Sequence, residues 1–339
     1  MTLRDDRRAI MRGMRSAARL HRDLDTVAKL GPSMRIDVYG TIVRLGAMLM
    51  FQPLDKLLGA YMREDHAKGV IITTNRPTGV QRFTAGHELG HMHMDHEPHA
   101  DDENILRRAP VAGTYRQVPM QEREADAFAS HFLLPRFLIE KHHHAHRLVE
   151  RDYENPQTVY QASLRFGASY AATLLAFERE NLISRPMRDE MRKVQPKDLK
   201  RDLIDDLQVE NWSNRDVWRL TEKDEGLVIE ANRKDIFVLK LEEHKGAGYL
   251  WTFDELKDAG FVILKDESEA FHNNLLGGPN RRYVLGDPSA LPDGSYTIRE
   301  LRPFDPTDDA QSLTVHVRTA AGGDPGLYAP QLDGLLRTQ

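Results

Sequence analysis

His87-Glu88-Leu89-Gly90-His91 sets two imidazoles four residues apart, with a carboxylate directly after the first. On an α-helix the two rings share one face, about one turn apart, where both can hold one zinc ion. Glu88 is placed to take a proton from a water at that ion. Five residues alone also describe an ordinary surface helix with two histidines, so a third ligand decides the matter. The extended pattern HExxHxxGxxH needs Gly at Met94 and His at Glu97, and is excluded. The remaining arrangement draws a carboxylate from a second helix. In Glu122-Arg123-Glu124-Ala125-Asp126, Glu122 and Asp126 lie one turn apart and share a face. Glu122 is the expected metal ligand. Asp126 is the expected acceptor for the N–H of a ligating histidine, which fixes that ring's tautomer. Glu124 lies about 200° around the helix from Glu122 and stands as the reserve ligand.

The elements that must position these groups follow from their flanks. Thr84 is the expected N-cap of the His87 helix. Ala125, Phe128, Ala129, Phe132 and Leu133 form an apolar stripe for packing against it. The segments FTAGHELGHMHMDH and EREADAFASHFLLP resemble the ImmA/IrrE family of bacterial metallopeptidases, over roughly residues 33–140. GVIITTNRPTGVQRFTAGHELGH fits as a strand, a turn and the active-site helix. The resemblance implies a small zincin-like domain with His87, His91 and Glu122 on the metal and Glu88 as general base. It also implies zinc as cofactor, with manganese as the alternative, and a helix-turn-helix transcriptional repressor as protein substrate, cleaved in response to stress or foreign DNA.

With 339 residues the chain has room for two or three domains. It contains no cysteine, so a metal must rest on histidine and carboxylate. The N-terminus lacks an apolar core of a secretory signal, and the acids Asp5, Asp6, Asp23 and Asp25 argue against an organellar presequence. The apolar stretch Gly40–Phe51 is broken by Arg44 and too short to span a bilayer. A cytoplasmic protein with no membrane partner is expected. The Arg-rich segment from Thr2 to Leu30 reads as one long helix with its apolar face on the core.

The expected fold class is multidomain α+β. Residues 1–136 form the metallopeptidase domain, 137–210 a helical unit, 212–320 an all-β immunoglobulin-like sandwich, and 321–339 a loosely attached tail. In the helical unit, PQTVYQASLRFG and ASYAATLLAFERENLI read as helix, turn and helix, with Ser169 as N-cap. The second helix offers Ser169, Tyr170, Ala171, Ala172 and Thr173 where base-reading side chains belong, then Glu178 and Glu180, which repel phosphate. DNA binding is not expected, and a net charge of −5 leaves no overall basic footprint. His142 and His146 have helical spacing, but no acid nearby in sequence completes a site, so they read as an exposed polar face. His93 and His96 are expected to point away from the face of His87 and His91.

In the β region, EEHKGAGYLWTFDEL, LLGGPNRRYVLG and LRPFDP resemble the three loops of chagasin-type cysteine-protease inhibitors in order and spacing, over residues 225–318. Gly248, Tyr249 and Trp251 match the first loop, Gly277 and Gly278 the second, Arg302 and Pro303 the third. Phe304 stands where that family has Trp, and His244-Lys245-Gly246-Ala247 replaces its Asn-Pro-Thr. Trp251 reads equally as a core aromatic of a strand. The resemblance implies a contact surface at one end of a sandwich, and the altered first loop favours a recognition or sensing module over an inhibitor. Two other classes stay open: a non-catalytic regulator with a structural zinc site, and a protease inhibitor. An intact Glu88 favours the enzyme, since a structural site has no use for it.

Overall fold

The computed structural model describes residues 3–64, 67–97, 99–102, 119–204, 211–269, 280–321 and 324–331. The first part runs α1 (Leu3–Asp23), α2 (Thr26–Lys29), α3 (Val38–Arg44), β1 (Ala47–Gln52), β2 (Leu57–Glu64), β3 (Ala67–Thr73), α4 (Thr78–His93), β4 (His99–Asp102) and α5 (Met120–Leu133). Ala9, Gly13 and Ala17 recur every four residues along α1 and make a low ridge on one face. That ridge lets α5 approach to backbone contact: a Cβ on Gly13 would stand 2.2 Å from the carbonyl oxygen of Glu124. The long helix expected from Thr2 to Leu30 is interrupted after Asp23, where Asp25 takes a left-handed backbone (φ 48°) before α2.

Helix α5 therefore lies between α1 on one side and α4 on the other, which buries acids and an arginine as well as its apolar stripe. The sheet beneath α4 has the order β13-β1-β3-β2-β4, where β13 is Gly326–Leu327, with β1 and β3 parallel and β2 antiparallel to β3.

Near the end of α1, His21 stacks on Phe132 with ring centroids 4.5 Å apart, and its Nε2–H donates to the Phe132 carbonyl at 2.9 Å. Burial lowers its pKa from 6.5 to about 4, against the opposing pull of that carbonyl. The unfolded chain takes a proton below about pH 6.5 that the folded chain refuses until about 4. Stability is therefore complete above 6.5 and is lost as pH falls toward 4, by about 3 kcal/mol in full. Urea unfolding at pH 7 and pH 4.5 is expected to show a smaller loss in His21→Gln than in the wild type. Identical losses would remove His21 from the acid response.

The middle of the chain is helical: α6 (Arg136–Ala145), α7 (Pro156–Phe166), α8 (Tyr170–Arg179), α9 (Arg185–Met191) and α10 (Pro196–Ile204). Gly167 (φ 62°) closes α7, and the Ser169 hydroxyl caps α8 by accepting from Ala172 N–H at 3.1 Å. Beyond it come β5 (Val217–Leu220), β6 (Val228–Ala231), β7 (Ile236–Glu243), β8 (Leu250–Thr252), α11 (Asp254–Asp258), β9 (Val262–Glu269), β10 (Asn280–Asp287), β11 (Gly294–Arg302) and β12 (Asp305–Thr319). Among the described residues these strands make two four-stranded sheets, β5-β7-β10-β9 and β6-β12-β11-β8. The whole is mixed α+β.

Polar side chains of α7 dock on β5. Gln161 accepts from Arg219 N–H at 2.8 Å and donates to the Val217 carbonyl at 2.9 Å, which satisfies an open strand edge. The tail expected to be loose is held over Gly326–Gln331. β13 (Gly326–Leu327) pairs antiparallel with β1, Tyr328 N–H donates to Leu49 O at 3.0 Å, and Gln331 Oε1 accepts from Leu49 N–H at 3.0 Å. β1 is otherwise an edge whose backbone groups lack partners, and the tail supplies them. No helix among the described residues is long and apolar enough to cross a membrane.

Candidate metal centre

Helix α4 begins at Thr78, behind Pro77, seven residues earlier than expected, and Thr84 is buried inside it rather than capping it. The i,i+4 spacing then does what the sequence requires: His87 and His91 face α5, and both are buried. Their Nε2 atoms lie 2.9 Å apart. Glu122, on the facing turn of α5, brings Oε2 to 3.4 Å from His87 Nε2 and Oε1 to 3.5 Å from His91 Nε2. These three are the group among the described residues whose ligand atoms all fall within 4.8 Å of one another. Tetrahedral zinc with bonds of about 2.0–2.1 Å needs donors about 3.3 Å apart, and the triangle matches that spacing.

The neighbours assign the tautomer of each ring. Asp126 Oδ1 stands 2.9 Å from His87 Nδ1, so that nitrogen carries the hydrogen and Nε2 keeps its lone pair. The same logic reaches His91 through a residue the sequence reading set aside. His96 Nε2 lies 3.0 Å from Glu124 Oε2 and must donate to it, while His96 Nδ1 lies 3.0 Å from His91 Nδ1. Burial lowers the His96 pKa, with the Glu124 bond opposing, so the ring is neutral and its Nδ1 accepts. His91 Nδ1 is then the donor, which leaves its Nε2 turned to His87 and Glu122. Both Nε2 atoms and the Glu122 carboxylate converge on one point at coordination spacing. The residues present therefore fit a divalent metal of zinc type.

Two expectations are corrected here. His96 does not point away, because α4 ends at His93 and Asp95 takes a left-handed backbone (φ 57°) that turns the chain back. The His96 N–H then bonds to the His91 carbonyl at 3.0 Å. Glu124, the reserve ligand, does not face the metal group; it receives His96 on one side and Arg12 of α1 on the other, at 3.1 Å. Periodicity around one helix placed it correctly, but only the third helix gives that face something to bind.

Glu88 is fully buried on α4 beneath β2. The strand passes so close that a Cβ on Gly59 would lie 3.1 Å from Glu88 Oε1 and 2.6 Å from the Thr84 methyl, so the position must be glycine. Asp126→Ala is expected to leave the fold intact and weaken zinc affinity about 10–100-fold by freeing the His87 ring. Competition with a chromogenic chelator measures this, and unchanged affinity would remove Asp126 from the site.

The β-region residues divide. Tyr249, in the first loop, donates its hydroxyl to Asp308 at 3.0 Å; the Arg302 guanidinium lies over its ring at 4.7 Å and pairs with Asp308 at 3.2 Å. Gly248 (φ 85°) and Pro303 are exposed beside them, and Phe304 is 100% exposed. Trp251 is not on that surface. It is buried in β8 and its indole N–H donates to the Glu242 carbonyl at 2.7 Å. Within β8 alternation turns Trp251 inward while Leu250 and Thr252 stay half-buried, and Tyr249 precedes the strand. Gly277 and Gly278 lie outside the described residues.

The histidines of α6 also differ from expectation. His142 and His146 are buried and stacked, 4.3 Å between centroids, and His146 Nε2 meets Asp224 Oδ1 at 3.1 Å. Arg165 adds a bidentate grip on the same oxygen. The acid that completes the cluster comes from the β region, 78 residues away, which sequence proximity cannot reveal. In α8, Tyr170 and Thr173 are buried, so two of the five positions considered for base reading face the core.

Residues 43–178 match the family profile of the IrrE N-terminal-like domain, Peptidase_M78. The match continues past residue 136 and takes in α7 and most of α8. Among solved structures, the chain is similar to the cysteine protease inhibitor EhICP2 from Entamoeba histolytica, with 25% identity over 31% of this chain and 96% of that one and a TM-score of 0.27. It is also similar to Amebosin, with 20% identity over 31% of this chain and 97% of that one and a TM-score of 0.24. No curated protein matches the chain. The stretch that holds the buried His-His-Glu group thus matches the IrrE N-terminal-like Peptidase_M78 model, which supports a metallopeptidase-type function.

Proposed function

We propose that the chain is a zinc-dependent endopeptidase built on a zincin-like domain, with the immunoglobulin-like β region as its recognition or sensing module. The observation that carries this reading is the convergence of His87 Nε2, His91 Nε2 and the Glu122 carboxylate, with Glu88 next to His87 in sequence. When bound, zinc polarises a scissile carbonyl and acidifies water. His87, His91 and Glu122 would hold it. Asp126 fixes the His87 ring, and His96 with Glu124 fixes the His91 ring. Glu88 accepts a proton from the attacking water at its carboxylate and passes it to the departing amine nitrogen.

The substrate class that fits the family resemblance is a helix-turn-helix transcriptional repressor in the cytoplasm. The test is co-expression with repressors encoded nearby, looking for cleavage that depends on Glu88. Cleavage of none of them, or cleavage that persists in Glu88→Gln, would overturn the reading. A contact role for the β region is favoured by Phe304, which lies wholly in solvent beside the Tyr249–Arg302 pair. Phe304→Ala is expected to slow cleavage of that substrate without changing zinc content. An unchanged rate would remove this loop from recognition.

A further inference from the structure

A cavity of about 410 Å³ opens between the first helices, the start of α4 and the β region. Five cations line it, Lys29, Arg35, Arg44, Arg82 and Arg318, against two acids, Asp37 and Glu230. The acids answer part of this charge: Glu230 lies 3.6 Å from Arg35 and Asp37 3.6 Å from Arg44. Among the described residues Arg82 has no carboxylate partner; it donates from Nη2 to the Ile36 carbonyl at 2.6 Å.

Arg35 and Arg82 are both buried, and they crowd one point. A Cβ on Gly167 would stand 2.7 Å from Arg82 Nε and 2.8 Å from Arg35 Nε. Burial, aided by the neighbouring Arg82 charge and opposed by Glu230, brings the Arg35 pKa down to about 10. The Tyr39 hydroxyl, also in the lining, is buried without a hydrogen-bond partner. Buried like charges and orphaned donors are costly, and an anion in the cavity offsets that cost.

We propose that this cavity binds a small phosphate-bearing anion. A phosphate monoester concentrates about −1.5 to −2 of charge and three acceptor oxygens on one group, so a single group answers both arginines. A carboxylate brings one charge and leaves part of the repulsion in place. The site joins three parts of the chain. Arg82 and Thr78 belong to α4, Glu230 and Arg318 to β6 and β12, and Tyr328 follows the tail strand β13. The bound anion stabilises the docking of the β region and tail on the helix that carries His87. Binding itself does not depend on the peptidase reading.

The test uses the full chain, titrated calorimetrically with inorganic phosphate, AMP and succinate in separate arms. One saturable site for phosphate or AMP is expected, together with an unfolding midpoint that rises with ligand concentration. Arg318→Glu, at the exposed rim, is expected to weaken binding at least tenfold. Lys257→Glu, a surface change on α11 that does not line the cavity, is expected to leave affinity within twofold. Tighter binding of AMP than of phosphate identifies a nucleotide-like ligand, and equal binding identifies free phosphate. Succinate binding as tightly as phosphate overturns the proposal, as does an equal loss in both variants or no saturable binding in any arm.

Discussion

Glu88→Gln is expected to keep the fold and the zinc and to lower the cleavage rate about 10²–10⁴-fold, the range that a positioned general base contributes. The substitution conserves shape, which matters because Gly59 leaves little room: the strand lies against the carboxylate and a bulkier residue would meet it. The amide cannot take a proton from water, so the loss is chemical and not structural. Rates with a demonstrated substrate, metal content by elemental analysis and far-UV circular dichroism separate the two. Equal rates for wild type and variant would rule out the general-base role. Loss of zinc in the variant would show instead that Glu88 is part of the metal's support.

Glu122→Gln and His87→Ala are each expected to take zinc content from one per chain to near zero after dialysis against a mild chelator. Each removes one of three protein ligands from a site whose atoms already stand at coordination spacing. Glu124→Gln is expected to behave differently. Its carboxylate touches His96 and Arg12 and not the metal group, so the variant keeps one zinc but holds it about 10–100-fold more weakly. Full zinc retention in Glu122→Gln would move the third ligand elsewhere. Complete loss in Glu124→Gln would mean that the two acids had been assigned in the wrong order. Because metal binding and folding are linked, the Glu122 variant should also unfold at a lower temperature than wild type when both are saturated with zinc.

Local periodicity made the centre of the site legible from residue order. His87 with His91 and Glu122 with Asp126 are pairs within single helices, and a helix repeats every 3.6 residues wherever it lies. The strand-like runs after residue 212 and the helix, glycine turn and helix of residues 156–179 are local patterns of the same kind. What residue order did not disclose is every feature formed between distant elements. His96 reaches His91 only because α4 stops at His93 and the backbone reverses at Asp95, so a helical projection carried three residues too far gave the wrong direction. Glu124 finds Arg12 because Gly13 and its small neighbours let α1 lie against α5. His142 and His146 looked exposed until Asp224 and Arg165 closed over them from elsewhere in the chain. The tail becomes a strand because β1 has an open edge. Spacing within one element is set by the backbone's own repeat, whereas the partner across an interface is set by which surfaces bury together, and that is decided only when the chain packs.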